Sequence, residues 1–596
     1  MQLDKYQEQA LQSNVRLIEA GPGAGKTRTI VERFIAQAKK TESGIALISF
    51  TNVAADEARE RCAPYMLEYP HFVGTVDAFL HRYIVTPLFI RRYGFAPRYV
   101  RSWDEIIHSS IGVTKGEIPL DYFQSDFTDN EEIFFHIVKG ANRFANAYLS
   151  HVTKSVEDNL VDIAKRKLER YFSNGLISCD QARVYANLYL RQEEELRRVL
   201  ACRFSEVIID EFQDCSSIEI GIAELLAKSG IHVVTVGDPY QNIYEFRGTS
   251  TSFYKQYKDS ILKRYPSNEV KLSKNYRSIE KICVFISKLR MTDLMVASEK
   301  EVQGELAVLI GDDEEQLQRF NELLRRYGID REKAIVLAHS SKQAHILSGR
   351  NKDANIGEIS SRPLSRMMRA LLMMKSATNS HELHESIQIA IRAILNVYTW
   401  DESDHLSPSD KLAKLGTDEV QIRYMLKKLL ITFSSEENFY SREVFSEEIQ
   451  HQLEGTLLNS REMSDKSIRR LFPKIWAKDW SIGKAAWLDV NNRTKIPCSQ
   501  IHGVKGREFD AVLISVQNDK GRTPIWEMNP NDVLSDKNEE LRVFYVGASR
   551  AKYILAIGVD SKGADRFIDW ISKLGLKEGE DFHIYGSLQG TLDGIK

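Results

Sequence analysis

Paired cysteines are missing from this 596-residue chain. Six cysteines stand at positions 62, 179, 202, 215, 283 and 498, none close enough to another to form a CxxC pair. That spacing excludes a zinc ribbon, argues against an iron–sulfur cluster and suits free thiols in a reducing compartment. An excess of basic charge is missing too: 81 Lys and Arg face 83 Asp and Glu, a formal net charge of −2. A strongly cationic coat protein is therefore excluded, and any nucleic-acid contact must come from local basic patches. No stretch approaches 18 uninterrupted apolar residues, so no membrane-spanning helix is expected. The opening MQLDKYQEQA carries Asp4 and Lys5 and lacks an apolar h-region, so no secretory signal is expected there. These absences predict a soluble, cytoplasmic protein with no membrane partner. Internal repeats and low-complexity tracts are also absent.

What is present is globular: 43% hydrophobic and 28% charged residues, enough apolar material for several cores. At about 100–200 residues per domain, three to five domains are expected. Apolar runs at 15–20, 45–50, 206–209 and 232–236 read as buried strands. Helical stretches from Lys26, at 54–61 and at 218–228 lie between or beside them. That alternation predicts a parallel α/β sheet. From 80 to 195 the strand signal fades, and 131–147 and 155–171 read as helices. Strands resume at 305–310 and 334–339 and return at 512–516 and 553–558, with a mostly helical stretch at 350–490. The predicted fold class is α/β, with two parallel-sheet domains each interrupted by a mainly helical insertion.

Residues 20–27 read AGPGAGKT, after a strand and at the opening of a helix. Gly21, Gly23 and Gly25 let backbone amides turn inward around phosphate oxygens at the helix N-terminus, with Ala20, Pro22 and Ala24 completing the loop. Lys26 is placed to reach the β- and γ-phosphates of a nucleotide, and Thr27 to put its hydroxyl on Mg²⁺. Residues 207–214 read VIIDEFQD, an apolar strand ending in two adjacent acids. Asp210 suits an Mg²⁺ ligand, and Glu211 suits the base that orients and deprotonates an attacking water. A kinase does not need that second acid; an ATP hydrolase does. Arg277, in NYRS, and Arg550, in GASRA, are candidates to stabilise charge on the transferring phosphoryl group from another domain.

The words around these residues resemble superfamily 1 DNA helicases of the UvrD/Rep/PcrA type, in the correct order along nearly the whole chain. Gln7 in LDKYQEQA resembles the adenine-reading Q motif, and Arg28 and Tyr276 the pair that sandwiches the adenine ring. FTNVAADEARER (50–61), GTVDAFLHR (74–82), VGDPYQNIYEFRG (236–248), QIHGVKGREFD (500–510) and EELRVFYVGASRA (539–551) resemble the remaining motifs. The resemblance implies that Gln241 senses the γ-phosphate and that Glu508 contacts the nucleotide. It implies two RecA-like domains: 1A over 1–80 and 195–275, and 2A over 276–345 and 490–596. Helical 1B would occupy 81–194 and helical 2B 346–489. The implied activity is ATP- and Mg²⁺-dependent movement on single-stranded DNA, 3′-to-5′, with unwinding at single-strand/duplex junctions in repair or phage defence. The chain departs from the family pattern at Val53, Asp77 and Phe246, outside the hydrolytic residues.

Sequence-independent binding of single strands needs aromatic faces for stacking and donors for phosphates. Phe50, Tyr244 and Phe246 lie just past predicted strand ends, where open α/β sheets bind ligands. The resemblance adds Thr51, Asn52, Thr75, Arg247 and His502 as DNA contacts. Basic and aromatic residues also interleave at 91–103 and 469–480, which fits either a DNA path or amphipathic helices with basic rims. Asp401, Glu402, Asp404 and His405 lack helical ligand spacing and read as a solvated loop. An alternative reading, from size and architecture, is a DNA-sensing ATPase subunit of a Gabija-type anti-phage system that regulates an OLD-family nuclease.

Overall fold

The apolar runs become parallel strands buried on both faces, as a sheet covered by helices on each side requires. The computed structural model describes residues 3–65, 69–100, 103, 106, 109–114, 116–127, 133–138, 143–243, 249–290, 295–297, 302–348, 356, 359–360, 362–377, 380–398, 408–434, 441–457, 468–490, 495–516, 523–529, 533–535 and 538–586. The first sheet contains β1 (Leu17–Ala20), β2 (Gly44–Ser49), β3 (Phe72–Thr75), β4 (Phe204–Ile209), β5 (His232–Gly237) and β6 (Glu269–Leu272), in the order β6-β1-β5-β4-β2-β3. Every pairing is parallel. Because β5 lies between β1 and β4, the ends of these three strands sit side by side. Each leads into chemistry: β1 into the glycine loop, β5 into Asp238 and β4 into Asp210.

Five strands of a second parallel sheet, β7 (Glu305–Ile310), β8 (Ala334–Ala338), β9 (Phe509–Ser515), β10 (Ala551–Val559) and β11 (His583–Tyr585), run in the order β8-β9-β10-β7-β11. Here it is the strand beginnings that matter. Phe509 pairs with Ala551, and the Phe509 amide donates to the Arg550 carbonyl at 3.0 Å, so Glu508 and Arg550 enter the sheet as neighbours. Both sheets belong to one compact unit, formed by 1–104, 109–339 and 500–596. A second unit, 105–108 and 340–499, is helical among its described residues apart from the edge at 498–499. Its core is built from Leu, Ile, Met, Phe and Trp side chains. Inside it, buried Asp479 accepts hydrogen bonds from the Ser360 amide at 3.2 Å and from the Ser365 hydroxyl at 2.6 Å.

One expectation needs correction. The interval 81–194 is not uniformly helical: Ser110–Val113 pairs antiparallel with Gly116–Pro119, and Phe123–Phe127 with Ile133–Ile137. Residues 133–137, read as the start of a helix, are IFFHI. Aromatic and β-branched side chains there favour a pleated surface, and a partner strand overrode the helical reading. Lys154–Ser173 is a helix. Two aromatics of 91–103 pack inward, Trp103 stacking on Tyr171 at 5.2 Å and Tyr99 on His81 at 3.5 Å, while Phe95 is exposed. In 469–480, Phe472 and Ile475 are core residues while Arg469 and Arg470 face solvent.

A buried ion pair fixes the frame of the first sheet. Arg33, on α1 (Lys26–Ala38), is fully buried and grips Glu206 of β4 through Nε and Nη2, both at 2.8 Å. Its Nη1 donates to the carbonyls of Ala10 and Gln12 at 2.7 and 2.8 Å. One guanidinium thus ties the N-terminal segment, the helix of the glycine loop and the strand of the paired acids. Such a bidentate fork is rigid, and removing one partner strands a buried charge. Arg33→Met is expected to lower stability by about 3–5 kcal/mol in urea unfolding of the nucleotide-free protein. Adding Glu206→Gln is expected to recover part of that loss.

Candidate active site

The glycine loop has the backbone that its composition demands. Gly23 and Gly25 have φ of 69° and 71°, left-handed values that L residues with a Cβ rarely adopt. Space forbids a side chain as well: a Cβ on Gly23 would meet Asn275 Oδ1 at 2.6 Å, and one on Gly25 would meet Gln7 Nε2 at 2.8 Å. Gln7, seated by a capping box with Asp4, donates to the Ala24 carbonyl at 3.1 Å. The Tyr276 amide donates to the Gly23 carbonyl at 2.8 Å, and the Tyr276 hydroxyl reaches Asp4. Gln7, the loop from Ala20 to Thr27 and Tyr276 therefore meet, although 269 positions separate Gln7 from Tyr276. Arg28 follows Thr27 on α1, partly exposed, with its charge felt at Tyr276.

Lys26 opens α1 and points at the two acids, 2.6 Å from Glu211 Oε1 and 3.5 Å from Asp210 Oδ1. Burial opposes its charge, yet the two carboxylates raise its pKa above the ordinary lysine value. The acids are driven apart. Burial, and Glu211 next door, push Asp210 up despite Lys26. Burial would raise Glu211 too, but Lys26, Lys505 and the Gln213 amide hold it down at about 2. Glu211 has φ 53°, the only positive value on a non-glycine residue among the described residues. Such strain costs about 1–3 kcal/mol and survives only where its surroundings enforce it. The Gln213 side chain does so here, donating to Glu211 Oε2 at 2.5 Å.

Opposite these groups stand residues of the second sheet. Arg277 donates through Nε to Glu508 at 2.9 Å and through Nη1 to the Ser549 carbonyl at 2.9 Å. Glu508 also pairs with Lys552 at 2.8 Å. Arg550 is buried, and its Nη2 donates to Gln241 Oε1 at 2.8 Å. Burial, and then the charge of Arg277, push the Arg550 pKa below the usual arginine range. Among the described residues no carboxylate lies within ion-pair distance of Arg550.

These groups fit a nucleotide triphosphate with a divalent ion. A buried guanidinium lacking an acid calls for an anion. The buried Asn275 Nδ2, beside Gly23, has no hydrogen-bond partner among the described residues. The helix N-terminus at Gly25, which no side chain caps, and Lys26 supply further positive charge, while Asp210 and the Thr27 hydroxyl are hard oxygen donors suited to Mg²⁺.

A family model described as the UvrD/REP helicase N-terminal domain matches residues 3–262, and one described as the UvrD-like helicase C-terminal domain matches 459–562. The chain belongs to the UvrD-like helicases. Among curated relatives of this helicase chain is a probable DNA helicase II homolog of Mycoplasma genitalium, 22% identical across 96% of the chain and 87% of that relative. DNA helicase II of Escherichia coli is 28% identical over 47% of the chain and 39% of its own length. A probable DNA helicase II homolog of Mycoplasma capricolum is 26% identical over 45% and 37%. In the last two comparisons the match spans well under half of the relative.

The residues expected to contact DNA in this UvrD-like helicase are less uniform. Phe50 is partly buried and lines an apolar pocket with Ile48, Phe79 and Ile209. The Thr51 and Thr75 hydroxyls cap helices, accepting from the Ala54 and Ala78 amides at 3.2 and 3.1 Å. Asn52, the first residue of α2 (Asn52–Cys62), is exposed. His502 meets His339 edge-on at 5.8 Å, and burial followed by His339 lowers its pKa. Tyr244, Phe246 and Arg247 lie outside the described residues, as do Asp401, Glu402, Asp404 and His405. Asp77 pairs through both oxygens with Arg183 at 2.8 and 3.0 Å. His81 and Cys179 approach the same carboxylate, whose charge the arginine already balances. Among the described residues no helix is long and apolar enough to cross a membrane.

Sequence reasoning passed over a group that links the two sheets. Lys505 Nζ donates to both Asp214 oxygens at 2.7 Å and to the Gln241 carbonyl at 2.8 Å. Both charged residues stood inside recognised words, DEFQD and HGVKGREFD, but nothing in either word shows that they pair. Lys505→Ala leaves Asp214 buried without its cation and is expected to cost about 3–5 kcal/mol of unfolding free energy. Lys505→Ala combined with Asp214→Asn is expected to cost less; equal losses in urea titrations would refute the pairing.

Proposed function

We propose that the chain is an ATP-driven DNA helicase or translocase working on single-stranded DNA and on single-strand/duplex junctions. The observation that carries this reading is the convergence of Lys26, Asp210 and Glu211 from one sheet with Arg277 and Arg550 from the other. Hydrolysis then depends on both sheets. Lys26 neutralises β- and γ-phosphate oxygens as they enter the glycine loop. That new partner draws Lys26 away from Glu211, whose carboxylate is released to accept a proton from the attacking water. The water oxygen bonds to the γ-phosphorus, and the bond to the ADP oxygen breaks. Mg²⁺ held by Asp210 and Thr27 would supply charge neutralisation between the β- and γ-phosphates. Arg277 and Arg550 stabilise charge spreading over the γ-phosphoryl oxygens, and Gln241 touches Arg550, which suits it to report the γ-phosphate.

Gln7, Arg28 and Tyr276 are assigned to the adenine, and Glu508 to the nucleotide through Arg277. DNA contacts are assigned to Phe50, Thr51, Asn52, Thr75, Tyr244, Phe246, Arg247 and His502, and the 3′-to-5′ sense rests on family resemblance alone. The names of the helicase II relatives support DNA as the track.

ATP hydrolysis by wild-type protein is expected to rise several-fold on adding single-stranded DNA. Glu211→Gln is expected to lower kcat by about 10²–10⁴-fold while still binding a fluorescent ATP analogue, and Lys26→Ala to abolish that binding. Strand displacement is expected from a duplex with a 3′ tail and not from one with a 5′ tail. Hydrolysis indifferent to DNA would overturn the motor reading and leave a nucleotide switch that acts on a partner.

A further inference from the structure

Behind the two arginines lies a buried polar chain of which the hydrolytic roles above use only the Gln241 end. Asp238, immediately after β5, is completely buried. Its Oδ1 accepts from Arg290 Nη1 at 2.7 Å and from the Tyr240 amide at 3.2 Å. Its Oδ2 accepts from Gln241 Nε2 at 2.8 Å and from the Tyr545 hydroxyl at 3.4 Å. Gln241 then turns its Oε1 to Arg550. Arg290 is the last residue of α3 (Glu280–Arg290) and only 2% exposed. It comes from the other side of the site, and its Nη1 also donates to Tyr545 at 2.8 Å. Its guanidinium sits 4.4 Å over the Tyr240 ring, while the Tyr240 hydroxyl donates to the Arg290 carbonyl at 2.7 Å.

The order of the chain gives it direction. An amide has one donor end and one acceptor end. Gln241 can offer its oxygen to Arg550 only while its nitrogen is held elsewhere, and Asp238 holds it. Asp238 in turn is a buried carboxylate that needs a cation. Arg290 supplies one: its Nη1 occupies Oδ1 and leaves Oδ2 to Gln241, while its Nη2 lies 3.6 Å from Glu19 Oε1. Without Arg290, Asp238 would be a buried anion within one glutamine of a buried arginine that lacks an acid, and the two would attract each other. Arg550 would then be drawn toward Asp238 and away from the phosphate.

We propose that Arg290 is a positioning residue for ATP hydrolysis: by neutralising Asp238 it fixes the Gln241 amide and keeps the Arg550 guanidinium free for the γ-phosphate. The inference rests on the ATPase reading above. Arg290 touches no substrate, so its loss should slow turnover without weakening nucleotide binding.

The test is steady-state ATP hydrolysis with single-stranded DNA, together with affinity for ADP alone and for ADP with aluminium fluoride, an analogue of the transferring phosphoryl group. Arg290→Met, close in volume, is expected to lower kcat by about 10–100-fold and to leave KM for ATP and ADP affinity unchanged. The extra affinity gained with aluminium fluoride is expected to fall in parallel with kcat. Arg290→Lys, which keeps the charge but not the planar guanidinium over Tyr240, is expected to fall between wild type and Arg290→Met. Arg290→Met with Asp238→Asn removes the stranded anion and is expected to recover part of kcat. Wild-type kcat in folded Arg290→Met, equal losses in kcat and ADP affinity, or a double variant as slow as the single one would each overturn the proposal. If Arg290→Met fails to fold, Arg290→Lys and the double variant decide on the same readouts. Wild-type protein that neither binds nor hydrolyses ATP would overturn the ATPase reading itself, and the inference with it.

Discussion

Lys26 cannot stand where it does without Glu211 and Asp210. An ammonium group removed from water needs a carboxylate within a few ångströms, and Glu211 Oε1 lies 2.6 Å away. That contact requires the loop after β1 and the turn after β4 to be brought side by side, which the sheet order achieves with one strand between them. It also requires Glu211 to accept a left-handed backbone, held there by Gln213. Burial, strand order and backbone strain all converge on one cation and two acids.

The contacts between the two sheets follow the same logic with a different distribution of charge. Lys505 meets Asp214 and Arg290 meets Asp238. Each pairs a cation from the second half of the site with an acid that follows a strand of the first sheet. Arg542 extends the pattern: fully buried, it donates to the carbonyls of Asn242, Val533 and Ser535. Buried polar networks of this kind add little net stability but penalise every arrangement in which a partner is missing. Sliding one sheet against the other would strand several charges at once. The network therefore favours discrete arrangements over gradual ones, a useful property where hydrolysis must be coupled to movement.

Much of this was legible in the residues. Continuous apolar runs such as ELAVLI and AIVLA marked buried parallel strands because only a sheet covered on both faces tolerates them. The glycines at 23 and 25 marked a tight loop because their positive φ admits little else. Where signals were local but ambiguous, the reading slipped: IFFHI at 133–137 became a strand once Phe123–Phe127 offered it a partner. At 91–103, Tyr99 and Trp103 turned inward onto His81 and Tyr171, since an aromatic ring beside an arginine has the same composition in a core as in a groove.

By itself the sequence determined the glycine loop, the acids at 210 and 211, the two arginine words and the α/β alternation, because backbone conformation and burial pattern act over a few residues. Only the tertiary structure decided that Gln7 lies against Ala24 and Tyr276, that Lys505 belongs to Asp214, and that Arg290, in an unremarkable helix, holds Asp238 behind Arg550. Those pairings join residues up to roughly 290 positions apart, and no local pattern encodes them. They are selected by the cost of leaving a buried charge alone, which exists only once the chain has closed around it.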